Sequence, residues 1–424
     1  MTAVAAKQVE SFRMTPAPTV SFFRKFNAAL PVAFLLVVWA VVYIPGLFRP
    51  ALLDDADSVH AEAAREILAR SDWVTLHVNG IRYLEKAPLM YWSIAASFRA
   101  FGVSEWSARL PLALGVLALL LATYRLGSRH AGREAGFYAS LVLATAFGPY
   151  IFTRILIPDI FVGLWLTLAF DFFLQGMARE RPARGSCWGL AAAAALGVLT
   201  KGLIGLVFVA ATAGSFLIVT GNLPHLRRMR LASSAAVFLA IAAPWHLLAG
   251  LRNPAQGDVR GFFWFYFVNE QFLRYLNKRI PLDYDTVPLA LFWGLTLIWL
   301  LPWCLFLPPA LAQIPFKWRT LRSRAVSCPG NERPMGQTER LSLLLGIWAC
   351  VILLFFSFST RQEYYTLPAL PALALLVGVW LQREAQSPAG SPVRRIGIRC
   401  SAIFRELPVT RFTAPAGSPA SWHA

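Results

Sequence analysis

Charged residues are scarce in this chain: Asp, Glu, Lys and Arg together make up 15% of its 424 residues. A soluble domain carries about 25% charged residues, and a soluble chain of this length would divide into domains joined by polar linkers. Between residues 29 and 380, apolar runs long enough to cross roughly 30 Å of hydrocarbon recur instead. The shortage of charge therefore argues against a soluble helical bundle and predicts an all-α polytopic membrane protein.

Negative charge is scarcer still, with 22 acidic residues against 40 Lys and Arg and a formal net charge of +18. In a soluble protein this excess would suggest nucleic acid. Here the basic residues cluster in short turns between apolar runs, and no basic groove with interleaved aromatic residues is evident. The sequence therefore predicts no nucleic-acid partner.

Cysteines are few, and the five that occur show no paired spacing. This argues against both a disulfide framework and a zinc knuckle.

The apolar runs divide the chain into three parts. Residues 1–27 form an N-terminal segment, 28–382 a transmembrane domain of about ten spans, and 383–424 a tail rich in Arg, Ser, Pro, Gly and Ala that is typical of disorder. The first apolar run is too long for a signal peptide and lacks a small-residue cleavage site. The predicted spans are 28–48, 108–126, 136–152, 157–177, 187–200, 203–220, 232–250, 287–309, 341–357 and 366–382.

The distribution of arginine orients these spans. Arginines cluster in alternate short turns, whereas the acidic residues lean to the other side. By the positive-inside rule, both termini are cytoplasmic. The protein is then expected in a bacterial inner membrane, with two long outer loops at 49–107 and 251–286.

Both outer loops contain patterns typical of helices lying at the membrane interface. Residues 58–70 are amphipathic and charged, 88–101 are apolar and aromatic, and 262–267 are aromatic throughout. Such helices beside a cleft would shape a site where a lipid headgroup meets an aqueous substrate.

Three carboxylates, Asp54, Asp55 and Asp57, open the first outer loop. They repel one another and cost stability unless something offsets them. They could be the solvated start of a helix, since acidic residues favour helix N-termini. They could equally supply a general base or a carboxylate that faces a metal.

Several cations are predicted on the outer side, against the positive-inside bias. Lys86 follows Glu85 and could form an interfacial ion pair or offer an ammonium to a phosphate. Arg154 and Asp159 form a charge pair at a span boundary, and Lys201 could be a snorkelling lysine or a functional one. With Arg274 and Arg361, these residues indicate an anionic partner on the outer face.

These stretches resemble the bacterial members of the dolichyl-phosphate-mannose–protein mannosyltransferase family, in particular those that modify lipid A. The resemblance covers residues 30 to 382. It is carried by the acidic cluster, Ala61-Glu62, Asp72-Trp73, and the specific stretch Arg82-Tyr83-Leu84-Glu85-Lys86, with looser matches at Asp159, Lys201, Glu270, Arg274 and Tyr365. It implies a GT-C fold and an enzyme that takes a sugar from a polyprenyl phosphate.

The resemblance also implies residue roles. The catalytic carboxylate falls on Asp55 or Asp57, with Asp55 preferred, and Lys86 and Arg274 match ligands of the donor phosphate. Glu85 matches a position that helps hold a divalent metal in a relative, but the usual histidine partner falls on Gln271, so no metal or other cofactor is assigned. Asp159, Arg154, Lys201, Arg361 and Tyr365 complete the expected substrate-binding set.

The expected function is an inverting glycosyltransferase acting on the periplasmic face. Its donor would be an undecaprenyl-phosphate-linked sugar and its acceptor a lipid, such as lipid A, or a protein. Two alternatives remain open: a lipid-linked-sugar transporter or flippase, and a truncated homologue without catalysis, because family members commonly continue into further spans and a soluble domain.

Overall fold

The computed structural model describes residues 29–52, 55–257, 259–282, 285–315 and 335–387. The predicted N-terminal segment, Asp54, nearly all of the predicted tail and the side chain of Asp55 lie outside these described residues. The chain divides into a unit of 20–382 and a small unit of 1–19 with 383–424. The larger unit contains the helical bundle and both predicted outer loops.

The first half of the larger unit forms a membrane helix, an outer layer of two helices and a short hairpin, and then a bundle. Its helices are α1 (Ala29–Tyr43), α2 (Asp55–Arg70), α3 (Leu89–Phe101), α4 (Glu105–His130), α5 (Arg133–Thr145), α6 (Phe147–Phe152) and α7 (Asp159–Met177), and its strands are β1 (His77–Val78) and β2 (Ile81–Arg82).

The second half is also built mainly of helices. Its helices are α8 (Arg184–Lys201), α9 (Ile204–Val219), α10 (Leu231–Arg252), the π-helix Trp264–Leu273, α11 (Leu289–Trp299), α12 (Leu307–Leu311), α13 (Gln337–Ser357) and α14 (Leu370–Gln386). Short 3₁₀ turns occupy Pro45–Leu47, Leu223–Arg228, Trp303–Phe306 and Leu367–Ala369. The last helix continues four residues past the predicted boundary at 382.

Among the described residues, five helical segments are long and apolar enough to cross a membrane on their own: Ala29–Leu47, Glu105–His130, Asp159–Met177, Leu231–Arg252 and Gln337–Ser357. A sixth arises if α11 and the segment Trp303–Leu311 count as one span. The other predicted spans correspond to helices that are shorter, broken or less apolar. The protein is thus an all-α multi-pass membrane protein, and the number of ten crossings stays a prediction.

Two predicted spans are broken rather than continuous. Residues 136–152 divide into α5 and α6 at Ala146, which is extended with φ −73° and ψ 144°. Residues 287–309 bend by 98° between Trp299 and Trp303. Pro302 lies at this second break and has no N–H with which to continue the helix. Both segments are predicted from their apolarity, which does not indicate where a helix breaks.

The helices of the bundle pack around α7, which lies against α4 and α8. Phe170 of α7 packs against Trp348 of α13 with the rings tilted and their centroids 4.8 Å apart, and both side chains are fully buried. The outer layer has its own core, in which Ile67 of α2, Tyr91 of α3 and Leu156 are buried together. The outer loops are therefore packed structure above the bundle.

Candidate functional site

A cavity of about 920 Å³ lies where α7 begins and α8 ends, beneath the outer layer. Five of the residues predicted for the site line it: Glu85, Lys86, Lys201, Arg274 and Tyr365. The rest of its wall is largely aromatic and aliphatic. A cavity with a few convergent polar groups in an apolar wall is the usual form of a small-molecule site.

The β1–β2 hairpin places Glu85 and Lys86 at this cavity. Asn79 and Gly80 both have positive φ, 51° and 82°, as a two-residue Asn-Gly hairpin turn requires. Glu66 of α2 accepts a hydrogen bond from the Gly80 N–H at 2.8 Å and forms an ion pair with Arg70 at 2.6 Å. Burial favours the neutral acid, but these two partners prevail and lower the pKa of Glu66. The ionised carboxylate thus fixes the turn that precedes Lys86.

A chain of alternating charges joins the two outer loops along the wall of the cavity. Glu85 lies 3.3 Å from the Lys86 ammonium and 3.0 Å from the guanidinium of Arg279. Arg279 is buried and also contacts Glu270 at 2.5 Å, and Glu270 in turn pairs with Arg274 at 3.0 Å. Each carboxylate is shared between two cations, which leaves an anion-attracting field on the cavity side.

Lys86 is only partly compensated, because Glu85, the carboxylate that it contacts among the described residues, is shared with Arg279. Burial, followed by repulsion from Arg274, lowers the pKa of Lys86. An anion bound between Lys86 and Arg274 would relieve that repulsion.

Lys201 is held differently. Both oxygens of the buried Asp159 carboxylate lie 2.5–2.6 Å from its ammonium. The ammonium also lies 4.4 Å from the centre of the Tyr365 ring, within cation–π range. Burial raises the pKa of the Tyr365 hydroxyl, which therefore stays protonated. This pair fixes the end of α8 against the start of α7 at the cavity wall.

The acidic cluster is only partly described. Asp57 is buried, accepts a hydrogen bond from the Leu156 N–H at 2.6 Å, lies 3.9 Å from Arg109, and does not line the cavity. Asp55 begins α2, one turn before Val59, which does line the cavity. Asp57 thus ties α2 to the turn before α7, and the role of Asp55 stays a prediction.

Two predicted cations lie away from the cavity. Arg154 stacks on the ring of Tyr150 at 3.6 Å and donates to the Tyr150 carbonyl. Its predicted pairing with Asp159 is wrong, because Asp159 is paired with Lys201. Arg361 donates to the carbonyls of Val287, Ser357 and Ser359. Among the residues that the structure describes, the contacts of Arg154 are typical of an interface anchor. Those of Arg361 hold together the segments that carry the three carbonyls.

The residues around Glu85 do not fit a metal ion. The Glu85 carboxylate already holds the Arg279 guanidinium at 3.0 Å and the Lys86 ammonium at 3.3 Å, and both would repel a metal cation at its oxygens. Gln271, at the position of the histidine expected from the resemblance, accepts a hydrogen bond from the Leu203 N–H. Glu85 therefore serves as an anchor for cations here.

Sequence reasoning missed Arg279 and Tyr266. Arg279 lies near the end of the second outer loop without any distinguishing motif, and only folding brings it to Glu85. Tyr266 lies in the aromatic run, lines the cavity and is 1% exposed. Burial raises its pKa, and its hydroxyl has no hydrogen-bond partner among the described residues. An aromatic run carries no signal for which of its rings faces a cavity.

The helical bundle, the outer layer and the cation-lined cavity between them define a multi-pass membrane protein of the GT-C fold. Residues 85–247 match the family described as dolichyl-phosphate-mannose-protein mannosyltransferase, so the resemblance noted in the sequence is confirmed. An archaeal oligosaccharyltransferase, AglB from Archaeoglobus fulgidus, shares the fold alone, at 14% identity and a TM-score of 0.56 over 91% of this chain and 55% of AglB.

More similar are two aminoarabinose transferases. The undecaprenyl phosphate-alpha-4-amino-4-deoxy-L-arabinose arabinosyl transferase of Aeromonas salmonicida is 31% identical over 361 residues, which are 82% of this chain and 58% of the relative. The crystal structure of ArnT from Cupriavidus metallidurans bound to undecaprenyl phosphate has 29% identity and a TM-score of 0.72, over 89% of this chain and 63% of that chain. The chain thus spans about three fifths of the length of these relatives.

Proposed function

We propose that the chain is a glycosyltransferase that moves a sugar from a polyprenyl-phosphate donor to a lipid or protein acceptor at the outer face of a bacterial inner membrane. The observation that carries the proposal is the cavity: Lys86 and Arg274 face one space whose wall combines a few charged side chains with a largely aromatic and aliphatic surface. A phosphate attached to a long prenyl chain needs both features. The similarity to an ArnT structure with bound undecaprenyl phosphate supports the same donor.

Phosphate capture would fall to Lys86 and Arg274. Both line the cavity, and both share their carboxylates with another cation. Lys201 is more fully neutralised by Asp159 and would mainly hold the wall in place. Hydrogen bonds from charged donors to a phosphate are about twice as strong as neutral ones.

In the proposed reaction the acceptor hydroxyl attacks the anomeric carbon of the donor. The new bond joins the acceptor oxygen to that carbon, and the bond from the carbon to the phosphate oxygen breaks. The hydroxyl proton passes to a carboxylate, for which the resemblance favours Asp55. The phosphate leaves with one more negative charge than it carried in the donor, so cations placed beforehand stabilise the transition state more than the ground state.

The placement of the ionisable groups favours surface chemistry over transport. The charges that line the cavity belong to the end of α8, to the end of the π-helix with Arg274, and to the loops at 85–86 and 359–365. A carrier that moves a charged headgroup across the bilayer would need polar groups along the path. The Asp159–Lys201 pair, at the start of α7 and the end of α8, fits the same outer level.

A deletion strain tests the proposal and identifies the acceptor. Mass spectrometry of envelope lipids and glycoproteins should show the loss of one sugar addition, restored by the wild-type gene but not by one encoding Lys86→Ala with Arg274→Ala. An unchanged set of envelope sugars would contradict the proposal.

A further inference from the structure

A second cavity, of about 620 Å³, lies at the other end of α7 and α8. The residues around it come from the last turns of α4 and α7, the first turn of α8 and the start of α13. Its charged lining is basic: Arg129, Arg179 and Arg340 contribute, and no carboxylate lines it in the described parts of the chain. The proposed glycosyltransferase reaction makes no use of this cavity.

Other donors converge on the same space. Gln175 lines it, and the Nε2 of this side chain is buried with no hydrogen-bond partner among the described residues. Gly185 and Ser186, in the first turn of α8, line it as well. Ala183 caps α8 without a side-chain hydrogen bond. The Ser186 N–H donates to the Ala183 carbonyl at 3.1 Å, whereas the Gly185 N–H precedes the first intrahelical bond, and N–H groups at that position favour anions.

The nearest buried carboxylate does not neutralise this cavity. Asp171 lies 2.9 Å from Arg125, 3.0 Å from Arg129 and 3.4 Å from His130. Its single charge is therefore shared between two arginines. Neither Arg179 nor Arg340 forms a side-chain ion pair with any residue that the structure describes.

The depth of the cavity in the membrane follows from the helices that connect it to the candidate site. α7 has 19 residues, and at a rise of about 1.5 Å per residue it separates the two cavities by about 28 Å. This matches the roughly 30 Å of a hydrocarbon core. If the candidate site lies at the level of the outer headgroups, the second cavity therefore lies at the level of the inner headgroups. Phe172, Leu174 and Met177 form apolar parts of its wall.

We propose that this second cavity binds the phosphate headgroup of an anionic glycerophospholipid from the inner leaflet. The arginines and the free donors would hold the phosphate, and the apolar wall would accommodate the start of the acyl chains. The charge, the unused Gln175 amide and the depth of the cavity favour a membrane lipid over a soluble anion.

The test uses the purified full chain in a neutral detergent, with native mass spectrometry to count bound lipids. Phosphatidylglycerol is titrated against phosphatidylcholine, and inorganic phosphate is added as a soluble competitor. The variant is Arg179→Gln with Arg340→Gln. The matched control is Arg227→Gln with Arg228→Gln, which removes the same charge from the same predicted face outside the cavity.

We expect the cavity variant to bind phosphatidylglycerol at least tenfold more weakly than the wild type, with the control unchanged and phosphatidylcholine weak throughout. Equal losses of affinity in the variant and the control would show that the effect comes from the overall charge, and would overturn the proposed site. Displacement of the lipid by millimolar phosphate would overturn the lipid assignment. Should the double variant fail to fold, Arg179→Gln alone, at an exposed position, should weaken binding by several-fold.

Discussion

At the scale of single residues, Lys86 and Arg274 matter most, because they face the cavity with shared counter-charges. Their carboxylates, Glu85 and Glu270, are both held by the buried Arg279. Arg279 thus acts on a ligand only through other side chains. In the described parts of the outer loops, no exposed cation shares a carboxylate with Arg279.

Replacing either cation should weaken capture of the donor phosphate. Lys86→Ala and Arg274→Ala should each cost about 1.5–3 kcal/mol, roughly ten- to a hundredfold in Kd for undecaprenyl phosphate. Lys278→Ala, an exposed cation four residues beyond Arg274 that does not line the cavity, is the matched control. Wild-type affinity in both cavity variants would refute the phosphate assignment.

The affinity for undecaprenyl phosphate should also fall at alkaline pH sooner than an ordinary lysine would allow. The folded protein lowers the pKa of Lys86 from 10.5, so the charged form is lost as pH rises through this lower value. Lys86→Arg keeps its charge and should flatten the pH profile. A wild-type profile as flat as that of Lys86→Arg would show that Lys86 does not carry the charge that binds phosphate.

The sequence could predict Lys86 and Arg274, because cations on the outer side of a membrane protein run against a known bias. It could not predict that Arg154 stacks on Tyr150 or that Arg361 clamps loop carbonyls. Short contacts of this kind depend on where neighbouring turns fold. Arg279 and Tyr266 could not be predicted for the same reason, because only the folded loop brings them to the site.

At the scale of helices, the buried pair of Asp159 and Lys201 joins the start of α7 to the end of α8. Asp159→Asn should destabilise the protein by about 3–5 kcal/mol, because it leaves a buried ammonium without its counter-charge. Asp159→Asn combined with Lys201→Met should recover most of the loss. The measurement is thermal unfolding of the purified protein in detergent.

Glu62→Gln is the control for this pair, since it breaks the partly exposed ion pair with Arg65 and should cost no more than about 1 kcal/mol. Equal shifts in melting temperature for Asp159→Asn and Glu62→Gln would contradict the structural role of the Asp159–Lys201 pair.

The long apolar helices α4, α7, α10 and α13 could be predicted from hydropathy, because length and apolarity suffice to define them. The amphipathic pattern at 58–70 likewise predicts α2, and the apolar, aromatic pattern at 88–101 predicts α3. The break at Ala146, the bend before Trp303 and the π-helix are set by local backbone geometry and packing. None of these leaves a signal in average apolarity.

At the scale of the whole molecule, two cavities lined by cationic side chains lie at opposite ends of α7 and α8, and the predicted topology assigns them to opposite faces of the membrane. Reporter fusions at Arg181 and Arg228 should report the cytoplasm, and fusions at Asn79 and Gly257 the periplasm. A periplasmic signal at Arg228 would invert the map and place the candidate site on the wrong face.

The proposal that the chain catalyses sugar transfer at the cavity lined by Lys86 and Arg274 is tested most directly by turnover of a synthetic lipid-linked sugar. The purified full chain, with an acceptor lipid or peptide identified from the deletion strain, should release polyprenyl phosphate and yield the glycosylated acceptor. Asp55→Asn should abolish transfer while binding of undecaprenyl phosphate persists, because an amide does not accept the proton. Asp57→Asn should reduce activity less, with a loss of stability from its contact with Leu156, and Asp54→Asn least.

If Asp57→Asn is inactive and Asp55→Asn is active, the mechanism stands and Asp57 takes the role of general base. If the wild type leaves the donor intact, or if all three carboxylate variants transfer sugar at the wild-type rate, the proposed mechanism is contradicted.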